Sequence, residues 1–289
     1  MEARSLQDSN IVFVGGSGGI GLAAAIAVAR AGAAVLIVGR DKERGEHAAS
    51  AIRAAGACEV AWLPADVSSI SGVAQAVEGI RAWRPALHGL VHTATSVRFK
   101  RSTTPDGLEL AFGLQYLARH ALNRALVDQL AESGDGRIIH VAGKAPSGFL
   151  PNLEDLQFER RKWSLLSSLM SSQVMGYLHV QEAAKRWEKL PVTATIACVG
   201  PTKTNNVREQ PWWIRSLYSV IATTPERSAK NIVHLLEMAD ASNANGAVLF
   251  NAKRFLPTPL TYDATLATRA WEISDKLVRE HGSFDYALL

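Results

Sequence analysis

The sequence predicts an α/β protein with a doubly wound, mostly parallel sheet of seven strands and helices on both faces. Short apolar runs alternate with longer helical patterns, which is the order that such a sheet requires. The first apolar run also enters a glycine-rich turn that opens directly onto an alanine-rich helical stretch. Since the 289 residues can bury one sizeable core and contain no evident linker, we expect a single domain over residues 1–289.

The glycine-rich turn has the composition of a loop that holds the phosphates of a dinucleotide. It follows the strand-like run Ile11–Val14 and precedes the helical run Leu22–Ala31, whose bare N-terminus suits an anion. Gly15 would permit the tight turn, Gly19 the approach of the backbone to the pyrophosphate, and Gly21 the close packing of helix on strand. The simpler alternative is that these glycines only form a turn. The predicted phosphate-binding set is Gly15, Ser17, Gly18, Gly19, Ile20 and Gly21.

The remaining elements follow in the same alternating order. Six further apolar runs are predicted to be strands, at Ala34–Val38, Cys58–Leu63, Leu87–Thr93, Gly136–Ala142, Val192–Val199 and Gly246–Phe250. Helices are predicted from Asp41, over Ser71–Trp83, Thr104–Glu132 and Trp163–Leu190, from Pro225, and over Leu260–His281. The segment from Gly200 to Thr224 has no regular pattern.

The residue at the end of the second strand selects between the two nicotinamide cofactors. A carboxylate there accepts a hydrogen bond from the ribose of NAD, whereas a nearby arginine accommodates the 2′-phosphate of NADP. Gly39 occupies this position, Arg40 follows it, and Arg44 lies shortly after the start of the next helix. We therefore expect NADP(H); NAD(H) is the alternative, in which Arg40 is only an exposed arginine at a helix start. Asp66, after the third strand, lies where an adenine amine could donate a hydrogen bond.

Composition excludes several other classes of protein. The excess of Lys+Arg, 31 against 27 Asp+Glu, is scattered and lacks the basic stripe with interleaved aromatic residues of a nucleic-acid binder. Cys58 and Cys198 lie in apolar runs, which predicts buried thiols and no disulfide. The first ten residues have no apolar core, and Leu22–Val38 is divided by Arg30 and Gly32. We therefore expect a cytoplasmic protein with neither a secretory signal nor a transmembrane segment.

Motifs along nearly the whole chain match one protein family. They are Gly15–Gly21, Gly39–Asp41, Ala65–Ser69, Thr104–Glu109, Phe112–Leu117, Gly136–Val141, Thr224–Glu226, Pro259–Asp263 and Trp271–Ser274. Together they resemble the short-chain dehydrogenase/reductase family, and within it the retinol-dehydrogenase-like or WW-domain-oxidoreductase-like branch. The resemblance implies a Rossmann-type fold and a nicotinamide cofactor. It also places in the cofactor site the residues Asp66, Val67, Thr93, Ala94 and Thr204.

The chain departs from this family at the residues that carry the chemistry. The family polarises a carbonyl with a serine and a tyrosine, lowers the pKa of the tyrosine with a lysine, and relays protons through an asparagine. By position, the asparagine is replaced by Gln115, a serine pair by Ala142-Gly143, the tyrosine by Leu169 and the lysine by Gln173. A leucine cannot donate a proton, and a glutamine has no charge with which to lower a neighbour's pKa. Either another acid replaces the tyrosine, or the scaffold serves a different reaction.

Four residues are candidates for the catalytic roles: Lys144, Tyr177, Gln115 and Gln173. Tyr177 lies one helical turn from Gln173 on the same face and could supply a phenol; the alternative is a packed core tyrosine. Lys144 follows the position of the lost serine and could face an oxyanion; the alternative is a solvated loop lysine. The two glutamines are included because they occupy relay positions. His88 and His92 have no acidic or thiolate companions, so we expect no metal site.

The substrate is expected to be bulky and apolar. A lid around residues 200–222 carries a large apolar area to the edge of the sheet where this architecture binds ligands. The apolar residues in question are Trp212, Trp213, Leu217 and Tyr218. The alternative use of the same tryptophans is a homodimer contact or a contact with a membrane surface.

Two hypotheses of function follow. The first is an NADP(H)-binding enzyme of specialised metabolism that reduces an activated C=N or C=O bond, or that cyclises or isomerises its substrate. An iminium carbon is already electrophilic, so hydride delivery to it does not require the tyrosine. The second hypothesis is a catalytically silent NADP(H)-binding sensor or partner protein.

Overall fold

An eight-stranded sheet forms the centre of the computed structural model, which describes residues 3–56, 59–146, 148–203, 222–250 and 256–282. Its strands are β1 Asn10–Val14, β2 Ala34–Gly39, β3 Val60–Pro64, β4 Gly89–His92, β5 Gly136–Ala142, β6 Val192–Cys198, β7 Ala247–Leu249 and β8 Thr258–Pro259. They lie in the order β3-β2-β1-β4-β5-β6-β7-β8, and every neighbouring pair is parallel except β7 and β8. The direction in which strands are added therefore reverses between β1 and β4.

Helices cover both faces of this sheet. They are α1 Gly19–Arg30, α2 Lys42–Ala54, α3 Ile70–Trp83, α4 Leu110–Phe112, α5 Ala118–Ala131, α6 Leu165–Arg186, α7 Pro225–Glu237 and α8 Ala264–His281. One apolar core joins α1, α2 and α7 to one face, and a second core joins α3, α5, α6 and α8 to the other. The predicted doubly wound, mostly parallel α/β fold is confirmed. None of the described helices is both long and apolar enough to span a bilayer.

The first strand shows how one apolar run serves two cores. Val12 and Val14 point into the core that contains α5 and α6, whereas Ile11 and Phe13 point into the core that contains α1. All four side chains are at most 2% exposed. A strand that is buried on both faces has a continuous apolar sequence, and for this reason β1 could be predicted from its composition alone.

The sheet has one strand more than the seven predicted. The additional strand, β8, contains only Thr258 and Pro259 and pairs antiparallel with β7. Two residues are too few to show a hydrophobic period. The edge position also explains the proline, which cannot donate to a hydrogen-bond ladder and is tolerated at the edges of sheets.

The long helix predicted over Thr104–Glu132 begins later and is interrupted. Gly107, with a φ of 81°, forms a turn before it. Glu109 then caps the first helical turn by accepting a hydrogen bond from the backbone nitrogen of Phe112 at 2.9 Å. Residues Gly113–Leu117 form a π-helical turn between α4 and α5. Such turns are frequent at functional sites, and this one carries a cavity-lining glutamine described below.

Side-chain caps set the starts of α6 and α8. Ser164 and Asp263 each accept a hydrogen bond from the backbone N–H three residues later. The two helices therefore begin after the predicted starting residues, Trp163 and Leu260. A Ser or Asp cap satisfies one of the free N–H groups of the first turn, and this local gain overrides the hydrophobic pattern.

A connected cluster of buried polar side chains interrupts the core between the sheet and helices α5, α6 and α8. Its members are His92 on β4, His120 and Asn123 on α5, His140 on β5, His179 on α6 and Asp275 on α8. We call it the histidine cluster. Its four imidazoles are at most 2% exposed. The ring of His179 stacks on Trp271, with centroids 4.8 Å apart and planes 3° from parallel.

Burial keeps these imidazoles neutral. It lowers the pKa of His92 to about 3, and the nearby charge of Arg119 contributes in the same direction. Burial and the neighbouring imidazoles hold the pKa values of His140 and His179 well below the ordinary value. Burial also lowers the pKa of His120, although its hydrogen bond to Asp275 opposes this effect. The folded protein therefore favours the uncharged form of each of these rings.

We expect the free energy of unfolding to decrease steeply between pH 7 and pH 5. A histidine whose pKa is lower in the folded chain takes up a proton on unfolding at any pH below its unfolded value of about 6.5. Each such imidazole removes about 1.4 kcal/mol of stability per pH unit in this range. Urea unfolding curves recorded from pH 7.5 to pH 5 measure this slope.

The control for this experiment is His47→Gln, which changes an exposed histidine on α2 and should leave the slope unaltered. His179→Phe keeps a flat ring against Trp271 but removes one titrating group, so its slope should be smaller by about one proton. A wild-type slope equivalent to fewer than about one proton would show that the cluster does not stay neutral.

Candidate active site

A cavity of about 430 Å³ opens at the carboxyl ends of the parallel strands. Its lining extends from Gly39 at the end of β2 to Ile196 on β6, and so crosses the reversal point between β1 and β4. Ligands of doubly wound sheets bind in the crevice at this point, because the loops on either side diverge there. The cavity is therefore the candidate active site.

The glycine-rich loop forms a cradle at one end of the cavity. Side chains in place of its glycines would fill this cradle. A Cβ atom at Gly15, whose φ is 96°, would lie 2.4 Å from the backbone nitrogen of Ala94. A Cβ atom at Gly21 would lie 2.4 Å from Thr93 Oγ1. α1 starts directly after Gly18, which has no side chain with which to cap it, so N–H groups of its first turn remain for a ligand. The cradle fits the pyrophosphate of a dinucleotide, and its lining residues are Gly15, Ser17, Gly18, Gly19, Ile20 and Gly21.

Two arginines line the cavity beside the end of β2. Arg40 follows this strand, Arg44 lies in the first turn of α2, and both side chains are exposed. Arg44 extends toward the glycine loop, since a Cβ atom at Gly18 would lie 3.2 Å from its Nη2. Asp41, between the two arginines, accepts a hydrogen bond from the backbone nitrogen of Arg44 at 3.0 Å and so caps α2. This part of the cavity is suited to a second anionic group.

The other predicted cofactor residues in the described part of the chain also line the cavity, namely Asp66, Val67, Thr93 and Ala94. Asp66 Oδ1 accepts a hydrogen bond from the backbone nitrogen of Ser68 at 3.1 Å. The backbone nitrogens of Thr93 and Ala94 both donate to Val14 O, at 2.8 and 2.9 Å. The remaining residues of the prediction lie outside the described residues, and these are Thr204, Trp212, Trp213, Leu217 and Tyr218.

Two of the four candidate catalytic residues, Gln115 and Gln173, line the part of the cavity beside β4 and β5. Gln115 Nε2 donates to Ser96 O at 3.1 Å. Gln173 Oε1 accepts a hydrogen bond from the backbone nitrogen of Gly143 at 3.0 Å, while its Nε2 is buried without a partner. Leu169 lies in a narrow cleft next to the cavity. The described residues that line the cavity include neither a tyrosine nor a lysine.

The other two candidates, Tyr177 and Lys144, are not among the residues that line the cavity. The Tyr177 side chain is buried, and its hydroxyl donates to Gly143 O at 2.8 Å, which is the arrangement of a packed core tyrosine. Burial raises the pKa of this phenol, so it retains its proton. Lys144 is exposed on the loop that follows β5. The structure therefore brings together the two glutamines but not the phenol or the ammonium group.

A buried arginine that sequence reasoning missed lines the same part of the cavity. Arg119 on α5 is 7% exposed, and it donates to Val141 O at 3.0 Å and to Ala94 O at 3.2 Å. Its Nε has no partner, and none of the described carboxylates lies within ion-pair distance of it. Burial lowers its pKa to about 10, so it stays charged at neutral pH. The sequence signal that could have indicated Arg119 is an arginine within a helical stretch whose other residues belong mostly to the core.

The hydrogen bonds of the histidine cluster determine which nitrogen of each imidazole carries the proton. Asp275 is the fixed point: burial raises its pKa, but the hydrogen bond from His120 and the charge of Arg124 outweigh this, and the net pKa is lowered. An ionised carboxylate only accepts hydrogen bonds, so His120 carries its proton on Nε2, 2.8 Å from Asp275 Oδ1. His120 Nδ1 is then an acceptor, and His179 Nδ1 donates to it at 3.1 Å.

The same reasoning continues through Asn123 to the wall of the cavity. His179 Nε2 must accept, and it does so from Asn123 Nδ2 at 2.8 Å. The second hydrogen of this amide nitrogen is donated to His140 Nε2, also at 2.8 Å. His140 therefore carries its proton on Nδ1, which is buried and has no partner. His140 and Gly176 both line the cavity, and a Cβ atom at Gly176 would lie 3.8 Å from this nitrogen.

Sulfur and metal chemistry receive no support from the described residues. Cys198 on β6 is buried and unpaired, whereas Cys58 lies outside the described residues. Among the described side chains, no group of three or more His, Cys, Asp or Glu residues could hold a metal ion. The imidazoles of the histidine cluster face one another and Asn123 instead.

Comparison with known proteins agrees with this architecture. The family model for short chain dehydrogenases matches residues 9–152. Retinol dehydrogenase 13 of Mus musculus is 24% identical over 291 residues, which cover 96% of this chain and 87% of that protein. Retinol dehydrogenase 12 of Homo sapiens is 28% identical over 272 residues, which cover 93% of this chain and 85% of that protein.

A solved structure supports the fold independently. L-sorbose reductase from Gluconobacter frateurii, complexed with NADPH and L-sorbose, matches with a TM-score of 0.68 at 20% identity. The match covers 85% of this chain and 96% of that chain. Since the sequence relatives are dehydrogenases matched along almost their whole length, and the fold agrees with that of a solved reductase, the chain belongs to the short-chain dehydrogenase/reductase family.

Proposed function

We propose that this protein is an NADP(H)-dependent oxidoreductase that reduces an activated C=N or C=O bond of a bulky, apolar small molecule. The observation that carries the proposal is one cavity whose lining includes both the glycine cradle and, beside β4 and β5, residues with unpartnered buried polar atoms. A bound nicotinamide cofactor would supply a hydride. The protein's own residues would hold the cofactor and orient the substrate against it.

The choice of NADP(H) over NAD(H) rests on the residues at the end of β2. A glycine stands where a carboxylate would accept from the ribose 2′-hydroxyl, and the adjacent Asp41 already caps α2. Arg40 and Arg44 line this part of the cavity and can donate charge-assisted hydrogen bonds to a 2′-phosphate. The NADPH named in the L-sorbose reductase complex is consistent with this choice.

The substrate should need little help from a protein acid. The hydroxyl of Tyr177 is already donated to Gly143 O, and Leu169 cannot donate at all. General acid catalysis contributes about 10²–10⁴-fold, so an ordinary ketone would react slowly in this site. An iminium or another activated group would not have this disadvantage. We therefore place the enzyme in specialised metabolism, with cyclisation or isomerisation as the alternative chemistry.

We infer an apolar substrate from the tryptophan-rich sequence of the lid and from the names of the relatives. Two of these relatives are named for retinol, which is itself largely apolar. The lid tryptophans, which lie outside the described residues, would contact the substrate; the alternative is a homodimer contact or a contact with a membrane surface.

A catalytically silent NADP(H)-binding protein is the second candidate function. The observation that favours it is the lack of a tyrosine or lysine among the described residues that line the cavity. Such a protein would bind the cofactor with the same cradle and arginines, and it would act as a sensor or as a partner of another enzyme.

Arg40→Ala should weaken NADPH binding by about tenfold or more and NADH binding by less than about threefold, because only NADPH carries the 2′-phosphate. Calorimetric titration with both cofactors measures the difference. Arg30→Ala is the matched control, since Arg30 is an exposed arginine at the end of α1, away from the cavity lining. Equal weakening of both cofactors by Arg40→Ala would contradict the assignment of NADP(H).

The enzyme and the silent protein differ in whether NADPH is consumed. We expect absorbance of NADPH at 340 nm to fall with cyclic imines or iminium ions, and to fall much more slowly with unactivated ketones. Mass spectrometry of the same mixtures detects a cyclised or isomerised product that forms without loss of NADPH. If NADPH binds but no imine, enone or aldehyde is changed, the silent protein is the correct reading.

A further inference from the structure

Arg119 is a buried cation whose charge nothing in the described structure neutralises. Its guanidinium contacts two carbonyl oxygens, and its Nε is buried without a partner. Partial charges on carbonyl groups compensate a buried cation less well than a carboxylate does, so such an arrangement is costly unless another group completes it. Since Arg119 lines the cavity, the group that completes it can be a ligand.

Two further residues that line the same cavity each carry a buried donor without a partner. One is His140 Nδ1, which carries a proton because the hydrogen bonds that run back to Asp275 require it. The other is Gln173 Nε2, which is left free because Oε1 of the same side chain accepts from Gly143 N at 3.0 Å. Buried donors normally have partners, so three such donors on residues that line one cavity are unusual.

All three groups are gathered around the end of β5. His140 belongs to this strand, Arg119 donates to the carbonyl of Val141, and Gln173 holds the backbone nitrogen of Gly143. They therefore act within four consecutive residues, His140–Gly143. The glycine cradle follows β1, which is separated from β5 by β4 in the strand order.

We propose that Arg119, His140 and Gln173 form a subsite for a substrate oxygen atom that bears or develops negative charge, such as a carboxylate, enolate or alkoxide oxygen. The proposal rests on the proposed function only in taking this cavity as the place where the substrate lies. The guanidinium supplies the charge, and the imidazole and the amide supply directed hydrogen bonds. Each of the three side chains is already held by a hydrogen bond through another of its atoms, so little reorganisation is needed when the charge develops.

The imidazole acts in this subsite as a neutral donor and not as an acid. Burial first, then the neighbouring imidazoles, and also the charge of Arg119 disfavour its protonated form. A neutral imidazole with one fixed N–H can polarise a carbonyl oxygen, as in triosephosphate isomerase, which is a known example of this behaviour. The positioning residues are Asn123, His179 and His120, which hold the tautomer without touching the ligand.

Acetate and acetamide form a matched pair of probes, since they have nearly the same shape and only acetate is charged. We would titrate each into ¹⁵N-labelled protein at constant ionic strength and follow the side-chain Arg119 Nε–H and His140 Nδ1–H resonances. Acetate should shift both resonances to saturation, and acetamide should bind at least about tenfold more weakly. Acetate that leaves both resonances unmoved would overturn the proposal, and so would equal affinity for the two probes.

Variants separate the subsite from general electrostatic attraction. Arg119→Met and Gln173→Glu should each weaken acetate at least about tenfold, the second while keeping the oxygen that Gly143 N requires. The control is Arg98→Met, which removes an exposed cation from the lining of the same cavity and should change acetate affinity by less than about twofold. If Arg119→Met does not fold, Gln173→Glu and the wild-type titration decide the outcome.

The tautomer of His140 is tested in the same sample. Two-bond ¹H–¹⁵N correlation spectra should show a neutral ring with its proton on Nδ1 at pH 7, whereas a proton on Nε2, or a charged ring, would overturn the role given to His140.

NADPH titration separates this proposal from the proposed function. Arg119→Met should change NADPH affinity by less than about threefold, and a larger loss would assign Arg119 to the cofactor and overturn the subsite. NADPH binding by a protein that ignores acetate leaves the proposed function intact and removes the subsite. Failure to bind NADPH removes the proposed function, while the acetate result still decides the subsite.

Discussion

The close approach of the glycine loop to the end of β4 is the constraint on which the candidate active site depends. Val14 and His92 are partners in adjacent parallel strands, although 78 residues separate them in the sequence. The backbone nitrogens that follow β4 donate to Val14 O, which leaves no room for a Cβ atom at Gly15 or Gly21. This contact brings the phosphate-binding cradle and the end of β5 into one cavity.

A second constraint acts on the site from the far end of the chain. α8 places the carboxylate of Asp275 against His120, and four hydrogen bonds transmit its acceptor character to His140 at the cavity wall. Each ring can bond both of its neighbours in only one tautomer, because each nitrogen either donates or accepts. The orientation of a donor in the cavity therefore depends on a helix that does not itself line the cavity. Without that carboxylate, the same contacts could also form with the Asn123 amide turned over and each ring in its other tautomer, and His140 Nδ1 would then carry no proton.

The fold and the position of the glycine-rich loop could be predicted because both depend on local patterns. Buried parallel strands appear as continuous apolar runs, and the glycine loop is read from seven consecutive residues, Gly15–Gly21. β8 was missed because two residues carry no period, and the start of the α4–α5 segment was missed because a Gly turn and a Glu cap override a helical composition.

The candidate active site was only partly predictable, because its chemistry depends on contacts between distant residues. Gln115 and Gln173 could be placed by position, but whether Tyr177 or Lys144 reached the cavity depended on side-chain directions that spacing does not give. Arg119 and His140 were missed for the same reason. An arginine within a helix is usually solvated, and only the packing of α5 against β4 and β5 shows that this one is buried without a counter-charge.

We propose that residues of α6 and α5 organise this site without the usual relay of the family. Gln173 accepts from the nitrogen of Gly143 and Tyr177 donates to its oxygen, so this helix clamps both sides of one residue after β5. A lysine in place of Gln173 could not accept that hydrogen bond, because an ammonium group only donates. The positive charge instead comes from α5, where Arg119 bridges the ends of β4 and β5. Arginine suits that position better than lysine, because its planar group can bond two separated carbonyl oxygens and still leave Nε for a third partner. In this proposal the positive charge lies on α5 and not on α6, where it stabilises negative charge on a ligand instead of tuning a neighbouring phenol.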